Sequence, residues 1–296
     1  MSDPTRTDDE EVLRLRASLR SFARDWPGVV ADLEAVVASN PSAALGGQLA
    51  GAYRSSGDGA AALAEYDREL GLAPGDPVLL GLRARLRRAR GDAHGAREDL
   101  AAAICDGGDA QLLRELADVE AELGLLDAAL RHLDDAVRKS SHWPSLLARG
   151  AFKLKLERWE EAEIDLDAVI FELADAPACQ GFLQETLHYR GWAKLFQGKR
   201  DALDDLSAAV RLNPRDPEAL CLRGGLRAAQ GDPKAREDLD EALRLDPSLA
   251  LAHAFRGDVL LTSGDTRAAV AEYLKAIELN PSLRKTLSPK LEQFPG

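Results

Sequence analysis

Residues 217–247 read PEALCLRGGLRAAQGDPKAREDLDEALRLDP, and this stretch decides the fold. Within it, Ala235, Leu239 and Ala242 are spaced at offsets of 0, 4 and 7 residues. Because 3.6 residues complete one turn of an α-helix, these three side chains lie on one helical face. A glycine precedes that helix and a proline ends the stretch, so the stretch predicts two short helices joined by a tight turn.

The same spacing recurs along the chain. The small or β-branched residue that begins each set stands at Val29, Ala62, Ala96, Ala129, Ala162, Ala202, Ala235 and Ala269. A large apolar residue follows four positions later in every set, and successive sets are 33 or 34 residues apart except for one step of 40. A period near 34 built from such helices is typical of a helical-repeat solenoid. The sequence therefore predicts an all-α fold and favours binding over catalysis.

A turn residue ends the first helix of most units. It is glycine at Gly57, Gly91, Gly124, Gly198, Gly231 and Gly264, and Glu157 takes the equivalent position in one further unit. Glycine adopts the left-handed conformation that ends a helix without a clash of its side chain. Proline closes several units, as in Asn213-Pro214 and Asp246-Pro247, because it cannot continue a helix.

The alanine–leucine/tyrosine–alanine set, the turn glycine and the closing proline resemble the tetratricopeptide repeat family over residues 10–283. The resemblance implies a right-handed α-α superhelix of about eight helical hairpins. They would start near residues 10, 43, 77, 110, 143, 184, 217 and 250. We expect residues 1–9 to form a disordered N-terminus and residues 284–296 to form a C-terminal capping segment.

Two stretches depart from the period. About seven extra residues fall near 175–181, which predicts a longer turn between two repeats. After Pro281 an apolar stripe, interrupted by a proline, predicts a segment that covers the last repeat. The stripe consists of Leu283, Leu287, Leu291 and Phe294.

Composition argues against several classes of function. The net charge is −12 and the pI about 5.0, which disfavours nucleic acid as the partner. No apolar stretch approaches the ~20 residues needed to span a bilayer, and the N-terminus does not resemble a secretory signal. Cys105, Cys179 and Cys221 are too widely spaced for a zinc site or a disulfide framework. These features predict a cytoplasmic protein without a membrane span.

The motifs of catalysis are absent from the sequence. It contains no glycine-rich phosphate loop, no GxSxG elbow and no HExxH pair. The five histidines are scattered, and none lies at metal-ligand spacing from another. We therefore expect a protein that is not an enzyme and that uses no cofactor or metal.

Arginine and an acid recur as a pair inside the repeats. Arginine is the seventh residue of five first helices, and an acid follows it 15 or 16 residues later. The pairs are Arg83 with Asp99, Arg149 with Asp165, Arg190 with Asp205, Arg223 with Asp238, and Arg256 with Glu272. A ladder of arginines for anionic ligands is one interpretation. We favour an internal ion pair, because the seventh position faces the packing side and an isolated buried arginine is costly.

A candidate binding surface lies on the sixth, seventh and eighth repeats. In tetratricopeptide proteins the open face of the first helices lines a concave groove for peptides or partner helices. Here that face would carry an aromatic ridge beside small residues, formed by His188, Tyr189, Trp192, Phe196, Cys221, Leu222, Gly225, Phe255, Asp258 and Thr262. Exposed aromatic patches mark interaction sites. Packing of the same rings between neighbouring helices is an equal alternative.

Three functions remain open. The first is a non-enzymatic adaptor that binds a peptide or partner protein in the concave groove. The second is a structural scaffold, a homo-oligomer formed by end stacking rather than a monomer. The third is an accessory subunit of an enzyme or a secretion machine.

Overall fold

The computed structural model describes residues 4–40, 45–105 and 108–293, and over these ranges the chain is built from helices without strands. Side chains are described from residue 9 onward. The α-helices are α1 Pro4–Phe22, α2 Trp26–Ser39, α3 Gly46–Ser56, α4 Gly59–Leu72, α5 Pro77–Ala89, α6 Ala93–Ala103, α7 Ala110–Glu122, α8 Leu126–Lys139, α9 Trp143–Lys155, α10 Trp159–Leu173, α11 Gln180–Phe196, α12 Ala202–Leu212, α13 Pro217–Ala229, α14 Ala235–Leu245, α15 Ala250–Thr262, α16 Thr266–Leu279 and α17 Arg284–Leu291.

Consecutive helices pair into eight hairpins, from α1 with α2 to α15 with α16. The chain forms two compact units, one of residues 1–140 and one of residues 141–296. Four hairpins belong to each unit, and α17 follows the last of them. The all-α class and the repeated hairpins predicted from the sequence are confirmed.

The turns inside the hairpins follow the expected chemistry. The six turn glycines have φ between 71° and 90°, and Glu157 occupies the same left-handed region with φ 57°. An aspartate after the glycine often begins the second helix. Its side chain accepts a hydrogen bond from a backbone N–H of the first turn at Asp58, Asp92 and Asp265. Within the hairpins, two to five residues separate the first helix from the second.

The core of a hairpin lies along the repeated small and large residues. Ala235, Leu239 and Ala242 are fully buried, and Leu239 packs where Gly224 leaves room. A side chain on Gly224 would place its Cβ 2.8 Å from Leu239 Cγ, which is closer than carbon atoms approach. Glycine at this position therefore sets the separation of α13 from α14.

The third, sixth and tenth residues of a first helix connect it to the preceding hairpin. In α13 the sixth and tenth residues, Leu222 and Leu226, pack against Ala202 and Leu206 of α12. The third and tenth residues of α7, Leu112 and Val119, pack in the same way on the α6 side chains. This contact is the repeating link between successive hairpins.

The N-terminus differs from expectation. Helix α1 already begins at Pro4, so residues 4–9, which we expected to be disordered, are helical. The remaining residues of that segment, 1–3, lie outside the described residues. The helix is anchored further along, since Ala17 packs against α2 and α3 and Glu10 pairs with Arg14 one turn on. Once a helix is anchored, adding a polar turn at its end requires little free energy.

The two irregular stretches also take helical form. The insertion near 175–181 becomes a 3₁₀ turn, Pro177–Cys179, followed by a longer first helix, because α11 has 17 residues where α13 has 13. At the C-terminus, Leu287 of α17 is buried against Ala269, Tyr273 and Ile277 of α16. Phe294, the last residue of the expected stripe, lies outside the described residues.

Candidate functional site

The repeated arginines are internal ion pairs. In the seventh hairpin, Arg223 grips Asp238 with two bonds, Nε to Oδ2 at 2.9 Å and Nη2 to Oδ1 at 2.6 Å. The same bidentate geometry joins Arg83 to Asp99, Arg149 to Asp165 and Arg190 to Asp205, and Arg256 donates one bond to Glu272. The four aspartates are buried. The favoured interpretation, an internal pair rather than a ladder for ligands, is confirmed.

Each of these aspartates has a second cation, which sequence reasoning missed. Arg227, one turn after Arg223, places Nη1 2.6 Å from Asp238 Oδ2. Equivalent second cations are Arg20, Arg87, Lys153 and Lys194, each within 3.0 Å of the aspartate of its own hairpin. The signal was a basic residue four positions after the arginine. We also missed the first-hairpin cluster of Arg16 and Arg20 with Asp32.

The fourth hairpin reverses the polarity of this cluster. Leu116 stands where other repeats have arginine, and Glu120 stands where they have the second cation. Glu120 is buried and accepts from Arg97 Nε at 3.3 Å, and its other oxygen lies 2.7 Å from His132 Nδ1. These hairpins therefore share a buried acid with basic partners, although the helix that supplies the acid differs in the fourth hairpin.

The aromatic ridge expected in the sixth repeat is divided between packing and surface. Tyr189 and Trp192 are partly buried and pack on Leu154 and Ala162 of the preceding hairpin. Phe196 is 52% exposed, yet its ring stacks on Trp159 with centroids 4.9 Å apart. The rings therefore connect two hairpins as well as lining a surface.

Several expected groove residues are engaged elsewhere. The space beside Gly225 is filled, because the Phe255 ring lies 2.6 Å from where a Cβ on Gly225 would stand. Asp258 accepts from Tyr273 Oη at 2.6 Å and pairs with Lys290 of α17. Thr262 donates its hydroxyl to a carbonyl of its own helix. Spacing alone did not show these contacts, because Phe255 belongs to the following repeat, Lys290 to α17 and Tyr273 to the second helix of the same hairpin as Asp258.

Four of the ten expected residues meet at one apolar pocket of about 120 Å³. We call it the His188 slot. It is lined by His188 and Trp192 of α11, by Glu218, Cys221 and Leu222 of α13, and by Leu249 and Leu251 at the start of α15. Sequence reasoning left Glu218, Leu249 and Leu251 out of the site. Glu218 and Leu251 are both second residues of first helices, a position on the open face, and that register was the available signal.

His188 is held from below by Asp216. Its Nδ1 lies 3.4 Å from Asp216 Oδ2, which also accepts from Gln184 Nε2 at 2.7 Å. The other oxygen of Asp216 caps α13 by accepting from the N–H groups of Glu218 and Ala219. Burial alone would raise the pKa of Asp216, but the bonds from His188 and the backbone lower it below its usual value. The carboxylate therefore fixes the imidazole with Nε2 directed away from it.

Two polar atoms of the His188 slot have no hydrogen-bond partner within the described chain. They are His188 Nε2 and Trp192 Nε1, each closed off from solvent. The residues are four apart on α11, so both rings project from the same face. In the neutral tautomer that carries its proton on Nδ1, beside the carboxylate, the imidazole Nε2 of His188 is an acceptor, whereas the indole Nε1–H of Trp192 is a donor. An unpaired buried polar atom costs about 1–3 kcal/mol, so these two residues of the slot carry one donor and one acceptor left to satisfy.

The thiol of Cys221, which lines the slot, is held in its protonated form. Burial raises the pKa of the Cys221 thiol to about 12, and the charge of Glu218 adds to the shift. The thiolate that would act as a nucleophile is therefore not formed near neutral pH. A shallower pocket of about 260 Å³ adjoins the slot, with Tyr189, Glu185 and Asp216 in its wall.

A larger cavity lies elsewhere, in the first unit. It measures about 930 Å³ and is bordered by α5, by the start of α7 and by the end of α8. Its charged groups are already paired, since Arg85 bonds Glu115 at 2.7 Å and Asp109 caps α7 through the N–H of Leu112. This cavity has the larger volume, but the His188 slot is the better candidate for a binding site because two buried polar atoms of its lining residues lack hydrogen-bond partners.

The described residues contain neither a metal site nor a membrane-spanning helix. No cluster of histidine, cysteine, aspartate and glutamate among them could hold a metal ion. None of the helices seen in those ranges is long and apolar enough to cross a membrane.

Comparison with known proteins agrees with this architecture. The tetratricopeptide repeat family model matches residues 190–235 and 233–283. No curated protein matches the sequence. A tetratricopeptide repeat protein from Parabacteroides merdae has a similar structure, with 17% identity, a TM-score of 0.55, and coverage of 95% of this chain and 97% of its own.

Two further solved structures share the fold. The pilF protein of Pseudomonas aeruginosa is 19% identical with a TM-score of 0.58, over 70% of this chain and 92% of its own. A chain of the Cut9–Hcn1 hetero-tetramer of the APC/C is 16% identical with a TM-score of 0.61, over 88% of this chain and 51% of its own. At these identities the likeness concerns the fold alone. Residues 190–283 match tetratricopeptide repeats in sequence, and the hairpins of the other described residues share the fold of tetratricopeptide repeat proteins.

Proposed function

We propose that this protein is a non-enzymatic adaptor that binds a peptide segment of a partner protein at the His188 slot. The tetratricopeptide repeat fold supports protein–protein interaction in general. The observation that carries the specific proposal is the pair of unsatisfied polar atoms on one wall of an apolar pocket, His188 Nε2 and Trp192 Nε1.

A peptide segment offers the two groups that the slot lacks. A backbone N–H can donate to His188 Nε2, and a backbone carbonyl can accept from Trp192 Nε1–H. An apolar side chain beside that peptide group would enter the pocket among Cys221, Leu222 and Leu251. The volume of about 120 Å³ is similar to that of an engineered apolar cavity of ~150 Å³ that binds benzene. The slot therefore fits one medium-sized apolar anchor, with the rings moving slightly to reach the peptide.

The test is a selection of displayed random peptides on the full chain, followed by affinity measurement with the selected peptides. Trp192→Phe keeps an aromatic ring and removes the N–H, so we expect a loss of about 1 kcal/mol, or roughly five-fold in Kd. Trp192→Ala removes the wall itself and should weaken binding by about 2 kcal/mol. Fluorescence anisotropy of labelled peptides gives both values.

The matched control is Trp159→Phe, the same change on a ring that stacks on Phe196 outside the slot. It should leave peptide affinity unchanged. Equal affinity in the parent and in Trp192→Ala would place the binding surface elsewhere. Loss of the helical circular dichroism signal in Trp192→Ala would show instead that the ring is a core residue.

We also place the protein in a reducing compartment, the cytoplasm. Cys105 is exposed, Cys221 is buried, and the three cysteines are free thiols. A chain that carries an exposed free thiol is suited to a reducing environment. Labelling of Cys105 by a membrane-permeant thiol reagent in intact cells tests this placement, and a fully oxidised Cys105 would contradict it.

A further inference from the structure

Helix α1 carries an apolar stripe that the described chain leaves uncovered. Val12, Leu15, Leu19 and Phe22 lie on one face of α1, and each is at least 61% exposed. The spacing of 3, 4 and 3 residues places them along about three turns. The opposite side of α1 is occupied, since Ala17 is buried against α2.

The register of the repeats shows what kind of surface this is. Arg16 pairs with Asp32 as Arg223 pairs with Asp238, so Arg16 is the seventh residue of its repeat. Val12, Leu15 and Leu19 are then the third, sixth and tenth residues. In the internal hairpins these positions pack on the second helix of the preceding hairpin, as in the Leu226 and Leu86 clusters. The α1 stripe is therefore a hairpin-stacking face on which none of the described residues is stacked.

We propose that the α1 stripe is a dimerisation surface for a second copy of this chain, formed by two antiparallel α1 helices. This inference is independent of the function proposed for the His188 slot. A two-fold interface uses the same patch on both copies, and apolar stacking faces are complementary to one another. Head-to-tail stacking onto the last hairpin is disfavoured, because α17 already covers the α16 side chains.

Charge along α1 favours the antiparallel arrangement. Asp9 and Glu11 lie in the first half of the helix, whereas Arg24 lies just beyond its end and Arg20 is already paired with Asp32. When two copies cross in opposite directions, the acidic end of one helix meets the basic end of the other. A parallel arrangement would bring like charges together. Four apolar side chains make a small interface compared with roughly 800 Å² per partner in a stable complex, so the dimer should be reversible.

Sedimentation velocity of the full chain over a range of concentrations tests the proposal. We expect a reversible monomer–dimer equilibrium in the parent. Leu15→Asp with Leu19→Asp should abolish the dimer, because the charges cannot leave water on association. The matched control is Phe171→Asp, which places the same charge at an apolar residue of α10 that is 89% exposed, and it should dimerise like the parent.

A charge exchange distinguishes the proposed orientation and does not depend on the apolar substitutions. Glu11→Arg alone and Arg24→Glu alone should each weaken the dimer several-fold, and the two changes together should restore it. A parent that stays monomeric, or that forms open-ended oligomers, would overturn the proposal. A dimer that survives Leu15→Asp with Leu19→Asp, or a double charge exchange that fails to restore association, would overturn it as well.

Discussion

Helices α1 and α13 both have leucine at the sixth and tenth positions, which are stacking positions, but in very different surroundings. Leu15 and Leu222 are both sixth residues, with exposures of 65% and 4%. Leu19 and Leu226 are both tenth residues, with exposures of 63% and 9%. The difference is the hairpin in front, which α13 has in α11 and α12. In a repeat protein the burial of a position is therefore a property of the neighbour as much as of the residue.

The largest difference in stability is expected between substitutions in the ion clusters of the seventh and first hairpins. Asp238→Ala leaves Arg223 without an acid and Arg227 with only Asp232, 3.5 Å from its Nε, and both side chains are less than one-fifth exposed. We expect a loss of about 3–5 kcal/mol, because buried charges are left unpaired. Asp32→Ala should lose less, since the Arg16 side chain is 51% exposed and can turn to water. Urea denaturation followed by circular dichroism measures both.

Because Arg227 also pairs with Asp238, we expect a smaller loss of stability from replacing Arg223 than from replacing Asp238. With Arg223→Leu, Asp238 keeps a cation 2.6 Å away, so this variant should be more stable than Asp238→Ala. Equal losses in Asp238→Ala and Asp32→Ala would break the comparison, because they would show that exposure of the cations does not matter.

The stacking leucines should show the next largest effect. Leu226→Ala removes a buried side chain that packs on α12, and we expect a loss of about 2–4 kcal/mol. Leu19→Ala changes the same residue at the same register, but its side chain is in water, so the loss should stay within about 0.5 kcal/mol. Thermal melts at low protein concentration avoid any contribution from dimers. A large loss in Leu19→Ala under those conditions would mean that α1 is covered within the monomer.

The smallest expected effect is on the stability of the fold at low pH. Bonds from Arg16 hold the pKa of Asp32 below its usual value, and bonds from His188 and the backbone do the same at Asp216. A lowered folded-state pKa stabilises the fold above the unfolded value of about 4, and the contribution is lost as pH falls through the folded pKa. Asp32→Asn and Asp216→Asn should each flatten the fall of the unfolding midpoint below pH 4. An acid limb as steep as that of the parent would refute this.

What the sequence could predict follows from how far apart the interacting residues lie. Ala235, Leu239 and Gly231 interact within one hairpin, so spacing alone fixed the helices and turns. The second cation Arg227 was equally local, and a periodic search for basic residues would have found it. The burial of His188 was harder to predict from the sequence, because it depends on Asp216 and on Leu249, which other hairpins supply.

The uncovered α1 face was missed for a related reason. Its residues have the ordinary pattern of an amphipathic helix, and the polar start of the chain suggested disorder rather than a helix. Only the register of Arg16 with Asp32 shows that Val12 and Leu19 stand at stacking positions. The fold was therefore readable from local repetition, whereas the accessible surfaces required the contacts between repeats.

Helix α17 acts as the terminator does in polymer growth, because it blocks the addition of a further hairpin. Each hairpin presents a template on which another can add, so a repeat array has no length set by packing alone. Helix α17 terminates that growth, since it buries Leu287 on the last template and its Pro289 discourages a regular continuation. The α1 face is still competent for propagation. A designed hairpin fused ahead of α1 would meet a ready surface, whereas one fused after Gly296 would first have to displace α17.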